Sequence, residues 1–218
     1  MRNASWLISV PYRSSAWTPH QPPLSAVHGS RCVWYPLRVG SHTSEMCLRG
    51  RHDRLSLAIA SQGTWAECDG LAELWNRRST GGPANASDVF IDVGANLGAC
   101  TLHLLMKSSA RAIVFEPSPA NLFHLTESLH RAARDERAQR NRIKRSERLP
   151  LSERIVVLPF AAGDAFASLT LFAAQGNAGN SVLGVPIADH DGQDMTNETC
   201  ACAAKALTSL VERGPELS

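Results

Sequence analysis

Two short apolar runs stand out in the hydropathy pattern of this chain, residues 89–93 and 112–115. Both are rich in Val, Ile and Phe and are bounded by turn residues, which predicts strands buried on both faces of a parallel sheet. Between them Leu97, Thr101, Leu104 and Leu105 recur at helical spacing. Residues 88–117 thus predict a strand, a loop, a helix and a second strand. Gly94 and Gly98 fall in the first turn, and Glu116 ends the second strand, 22 residues after Gly94. Glycines let a backbone approach a ligand, and an acid about 20 residues further on holds ribose hydroxyls. The spacing therefore points to a nucleotide-type cofactor unit.

The same patterning organises the flanks. Downstream, Pro117 and Pro119 set the start of a second helix, whose buried face is Leu122, Leu125 and Leu129. Residues 155–158 predict a third buried strand, 168–172 an alternating one and 182–185 a short last one. A polar loop over 189–197 precedes a predicted terminal amphipathic helix over 199–211, with Ala203, Leu207, Leu210 and Val211 on one side. Upstream, Asp53 is placed to cap a short helix through Leu55, Leu57 and Ile59. Thr64 is placed to cap another, with Glu67 completing a capping box and Leu71, Leu74 and Trp75 as the apolar stripe. This helical lead-in, residues 45–87, covers an edge of the sheet or the mouth of the cofactor site, with Trp65 and Trp75 as packing residues.

Composition and charge narrow the picture. Residues 1–44 contain no Asp or Glu but hold four Arg and five Pro. They read as a disordered tail or, being Arg- and Ser-rich, as an organelle-import segment. The net charge of +2 is too small to imply a nucleic-acid partner for the whole chain. Residues 131–148 carry eight Lys or Arg against three acids, but no interleaved aromatics, which suits a solvated helix end and linker. No apolar run approaches the roughly 20 residues of a membrane span, so a soluble, cytoplasmic protein is expected, unless the N-terminus directs import. The cysteines (Cys32, Cys47, Cys68, Cys100, Cys200 and Cys202) are scattered, with no Cys-x-x-Cys pair and no His at finger spacing. No metal site is expected on that ground, and ordinary thiols in a reducing compartment are.

Three motifs carry a family resemblance: Phe90-Ile91-Asp92-Val93-Gly94-Ala95-Asn96-Leu97-Gly98, Val114-Phe115-Glu116-Pro117-Ser118-Pro119 and Ala162-Gly163-Asp164. Together they resemble the FkbM family of S-adenosylmethionine-dependent methyltransferases. The later Asn177-Ala178-Gly179-Asn180-Ser181 is similar to that family's small polar loop, and residues 53–65 to its lead-in. The resemblance implies a Rossmann-like α/β class I methyltransferase sheet over residues 88–186. It also implies a cofactor site of Asp92, Gly94, Asn96, Gly98, Glu116 and Asp164. Gly94 and Gly98 would let backbone pack against the cofactor, and Asn96 tolerates left-handed backbone. The free N–H groups of the first helix would meet the carboxylate of the cofactor's amino-acid tail. Asp92 would face the cationic end of that tail, Glu116 both ribose hydroxyls, one on each oxygen, and Asp164 the adenine amino group. Plainer readings stand beside these: Asp92 as a turn cap, Gly98 as a packing glycine, Glu116 as a surface acid. Two glycines four apart, with no third, make a poor pyrophosphate cradle, which argues against NAD.

The implied reaction is methyl transfer to a hydroxyl oxygen of a small molecule or glycan. The family continues with a strand reading Lys-Ile-Asp-x-Glu-Gly, and no such run follows residue 185. The sheet is therefore expected to be incomplete on its C-terminal side, with residues 187–218 a polar loop and terminal helix. No catalytic base is identified in the sequence. A catalytically inactive, truncated methyltransferase-like binding domain is the alternative, and an incomplete sheet also predicts self-association.

Overall fold

The computed structural model describes residues 16–26, 30–50, 53–78, 88–142, 148–163, 167–174, 181–183 and 195–206. The first regular element is an antiparallel hairpin, β1 (Val33–Val39) and β2 (His42–Leu48). Helices α1 (Arg54–Gln62) and α2 (Ala66–Arg78) follow. Then come β3 (Val89–Val93), α3 (Ala99–Lys107), β4 (Arg111–Phe115), α4 (Pro119–Arg142) and β5 (Ile155–Leu158). These make two successive β–α–β steps, and their strands pair in parallel in the order β3-β4-β5. Four more strands, β6 (Ala162–Gly163), β7 (Ala167–Ala174), β8 (Val182–Leu183) and β9 (Met195–Ala206), pair in the order β6-β9-β7-β8. The fold is mixed α/β, and its parallel three-stranded sheet with crossover helices is compatible with a Rossmann-like class. Among the described residues no helix is long and apolar enough to cross a membrane.

One face of the parallel sheet carries Phe90, Ala112, Val114, Ile155 and Val157. They pack in one core with Leu102 and Leu105 of α3 and with Leu122, Leu125 and Leu129 of α4, the three leucines expected to be buried. The opposite face holds a smaller cluster of Phe115, Val156, Leu158 and Phe160. On β3 this second face is uncovered: Val89, Ile91 and Val93 are exposed, Val93 by 53%. β3 is thus buried on one face, not on the two that its apolar run suggests. The physical reason is that α3 and α4 both pack on the Phe90 face.

The hairpin corrects the reading of residues 1–44 as a tail from residue 33 on; residues 1–15 lie outside the described residues. Val33, Tyr35, Leu37 and Val39 favour extended backbone, and Leu37 and Val39 turn inward with Met46 and Leu48 of β2. Pro36 sits exposed in a two-stranded sheet, where a missing donor costs little. The hairpin lies against α4. Cys47 N–H donates to Ser128 Oγ at 2.9 Å, Leu24 N–H to Thr126 Oγ1 at 3.0 Å, and Arg131 pairs with Glu45. Further upstream Trp17 is buried and bridges Val157 of β5 through two 2.8 Å backbone bonds.

Asp53 caps α1 as expected, its Oδ2 accepting Ser56 N–H at 2.8 Å. The capping box expected at α2 is not formed. Thr64 Oγ1 instead donates to Asp69 at 3.4 Å, and Glu67 accepts the Trp65 indole N–H at 3.1 Å. The stripe of α2 is rotated too. Cys68 and Ala72 are buried with Leu71 and Trp75 against the core, whereas Leu74 is 61% exposed. A disulfide from Cys68 to Cys100 in the first turn of α3 fixes that rotation. A second disulfide joins Cys32 to Cys47. These bridges correct the expectation of free thiols at Cys32, Cys47, Cys68 and Cys100. The predicted terminal helix is also overturned, because residues 195–206 form β9, antiparallel to β7. Thr196, Thr199 and the alternating Cys200-Ala201-Cys202-Ala203 run suit a strand. Three of the four apolar residues of the supposed helical stripe, Leu207, Leu210 and Val211, lie outside the described residues.

Arg154 locks the two β–α–β steps together. It is fully buried, and its guanidinium donates to the carbonyls of Leu105, Ser108 and Ala110 at 3.2, 3.1 and 2.9 Å. A cation on the last carbonyls of α3 opposes the negative end of the helix dipole and sets the entry into β4. Arg154→Leu should destabilise the chain by about 3 kcal/mol, because three carbonyls lose a charged donor in a dry site. Urea unfolding measures this, and an unchanged midpoint would show the contacts to be dispensable.

Candidate functional site

The turn after β3 is set by backbone geometry. Gly94, Asn96 and Gly98 have φ of 78°, 55° and 83°, the left-handed region that Gly and Asn tolerate. Gly94 and Ala95 donate their N–H groups to Phe115 O at 2.9 and 3.1 Å, so the turn is fastened to the end of β4. Asn96 N–H donates to Glu116 Oε2 at 2.7 Å.

Glu116 is buried and holds three protein donors. Besides Asn96, Ser118 N–H and the Asn121 amide reach its Oε1 at 2.9 and 3.1 Å. Arg49 in turn donates to Asn121 Oδ1. Burial pushes the carboxyl above its usual range, and the bonds from Ser118, Asn121 and Asn96, with the nearby Arg49 charge, pull it back in part. A carboxylate has about four lone-pair positions, of which three are filled here. The expectation of one ribose hydroxyl on each oxygen is therefore revised, since the one open position is on Oε2.

Asp92, half-buried at the end of β3, accepts a hydrogen bond from the Thr101 hydroxyl. Burial raises its carboxyl above the usual value and the Thr101 bond lowers it. A cavity of about 380 Å³ opens beside it, walled by Arg54, Trp65, Glu67 and the start of α3 at Ala99 and Cys100. A second cavity, about 230 Å³, lies beside Glu116, with Ser118, Asn121, Leu171 and Ser181 around it. Gly94 and Asn96 line both. A Cβ added at Gly94 would meet nothing within 4 Å, so this backbone is open to a ligand. Asn96 Oδ1 is buried without a hydrogen-bond partner among the described residues. A buried acceptor without a partner is an atom that requires a donor.

Four of the six expected residues, Asp92, Gly94, Asn96 and Glu116, therefore meet around the two cavities. Gly98 does not line either. A Cβ there would overlap Leu125 Cδ1 of α4, so its role is close packing at the α3 N-terminus, the plainer of the two readings. Asp164 and residues 177–180 of the polar loop lie outside the described residues. Sequence reasoning missed Arg54, Thr101 and Asn121. Thr101 had a signal, being the one hydroxyl in an otherwise leucine-rich helical stripe. Asn121 had another, standing five residues after Glu116 in the first turn of α4.

Chemically the arrangement offers a helix N-terminus and an acid in the larger cavity, and a buried acid in the smaller one. It suits a ligand with a zwitterionic end and a hydroxylated ring.

Gly98→Ala should cost about 3 kcal/mol in urea unfolding, from left-handed strain plus the clash with Leu125. Gly94→Ala should cost only about 1 kcal/mol, from strain alone. Equal losses would mean that Gly98 is not a packing glycine. For Asp92 the sign is set by its raised pKa. Its ionisation opposes folding, so its contribution improves as pH falls through the folded value toward the unfolded 3.8. Thr101→Val removes the lowering contact and should move the Asp92 titration to higher pH in a carboxyl NMR experiment. An unmoved titration would show that the hydroxyl does not stabilise the carboxylate.

Compared with protein-family models, curated proteins and solved structures, the chain matches none.

Proposed function

We propose that this chain is an S-adenosylmethionine-dependent methyltransferase that acts on a hydroxyl oxygen of a small molecule or glycan. One observation carries the reading: a turn open to ligand at Gly94 and Asn96, with an acid and a cavity on each side of it. In the larger cavity Asp92 would take the ammonium of the amino-acid tail, and the free N–H groups at the start of α3 its carboxylate. In the smaller cavity the open position on Glu116 Oε2 would accept one ribose hydroxyl. The orphan Asn96 Oδ1 fits the group as well: turned toward the cavity its residue lines, it would supply the second hydroxyl acceptor that Glu116 Oε1 no longer offers.

When bound, S-adenosylmethionine supplies an electrophilic methyl group on a sulfonium. The protein's part is alignment and exclusion of water. Trp65 and Arg54 wall the larger cavity, and the Cys68–Cys100 bridge holds α2 against its floor at Cys100. Each acid keeps an acceptor position beyond its protein donors, which suits a hydroxyl- and ammonium-bearing guest.

Calorimetric titration with S-adenosylhomocysteine tests the reading. Wild type should bind, and Glu116→Gln should weaken binding about tenfold or more. Asn96→Gly keeps the left-handed turn, removes only the acceptor, and should do the same. Affinity should fall as acid protonates Asp92, from a pH above the ordinary carboxylate range because its pKa is raised. No binding, or binding indifferent to both substitutions, defeats the proposal. Binding without turnover on hydroxylated acceptors would favour a cofactor-binding domain over an enzyme.

A further inference from the structure

One turn along α4 from Asn121, outside both cavities, a different donor set converges. Cys32 stands just before β1, Cys47 lies in β2, and α4 presents His124 to both. His124 Nδ1 is 3.1 Å from Cys47 Sγ. The two sulfurs and one imidazole nitrogen lie within 4.8 Å of one another. Cys47 and His124 are buried, and Cys32 is partly so. A sulfur in a disulfide is a weak acceptor, so the oxidised pair gives this buried imidazole a poor partner.

Two thiolates and an imidazole are, by contrast, a donor set that zinc takes, with sulfur at about 2.3 Å and nitrogen at about 2.0 Å. A tetrahedral centre of those bond lengths separates its two sulfurs by about 3.8 Å and sulfur from nitrogen by about 3.5 Å. Once the S–S bond is opened, small side-chain rotations reach that spacing. The frame around the donors is firm, because Cys47 N–H is bonded to Ser128, one turn along α4 from His124. The partial exposure of Cys32 leaves room for water as a fourth ligand.

We propose that the reduced chain binds one zinc ion through Cys32, Cys47 and His124, and that the disulfide is the metal-free, oxidised state of the same site. A dithiol reduces the bridge, becomes a disulfide itself, and leaves its two protons on Cys32 and Cys47. Zinc then displaces both protons to solvent, and the two thiolates balance its charge. The inference is independent of the methyltransferase reading.

The test uses the full chain, reduced with a dithiol under anaerobic conditions, freed of it, and titrated with Co²⁺. One equivalent should give the ligand-field and thiolate charge-transfer bands of a tetrahedral site, and the oxidised chain should give none. A Cys200→Ser/Cys202→Ser background should keep the bands, and His124→Ala should weaken binding at least about tenfold. Should that variant fail to fold, alkylation of the reduced wild type decides. Zinc should slow iodoacetamide labelling of the partly exposed Cys32 while leaving that of Cys100 unchanged. Absent bands, bands unchanged in folded His124→Ala, or Cys32 labelling indifferent to zinc would overturn the proposal.

Discussion

The buried carboxylate of Glu116 is the contact on which the centre of this molecule depends. It sits at the end of β4 and takes donors from the β3–α3 turn, from its own following turn and from the first turn of α4. A charge so deep in the protein is costly unless bonded, and here two backbone N–H groups and the Asn121 side chain supply the bonds. Asn121 passes the restraint to Arg49, immediately after β2, so the hairpin is joined to the same network. The candidate site is therefore not a decoration on a finished fold. The interactions that shape its floor also hold β3, β4 and α4 in register.

Much of this centre is legible along the chain. The runs at 89–93, 112–115 and 155–158 become the three parallel strands, and the Leu122, Leu125, Leu129 stripe becomes the inner face of α4. Patterns of this kind are read well because one physical cause, burial against a sheet, sets every residue in them. The spacing from Gly94 to Glu116 is also faithful, since the turn and the acid meet directly. Where the reading fails, the cause is tertiary. Gly98 looks like a ligand-facing glycine until Leu125, on another helix, is seen to occupy the space beside it. Leu74 looks like core until a disulfide turns α2. A helical stripe over 199–211 looks amphipathic, yet β7 offers that backbone a ladder.

The cysteines show the same limit from the other side. Metal and disulfide rules based on spacing look for partners a few residues apart. Here the pairs span 15 and 32 residues, and the imidazole beside the first pair comes from 77 residues beyond Cys47. Nothing local in the sequence joins them: the hairpin pairs Cys32 with Cys47, α2 and α3 pair Cys68 with Cys100, and α4 adds His124.

That separation bears on how the chain is made. The hairpin and its cysteine pair leave the ribosome long before α4 does, so Cys32 and Cys47 can meet while Met46 and Leu48 still lack their partner helix. Until then β2 lacks the helix that packs on it, and transient apolar exposure of that kind favours association. The arrival of Thr126 and Ser128, which bond to Leu24 and Cys47, would end it. The hairpin is therefore finished only from a distance along the chain, by a helix whose Ser128 comes 81 residues after Cys47.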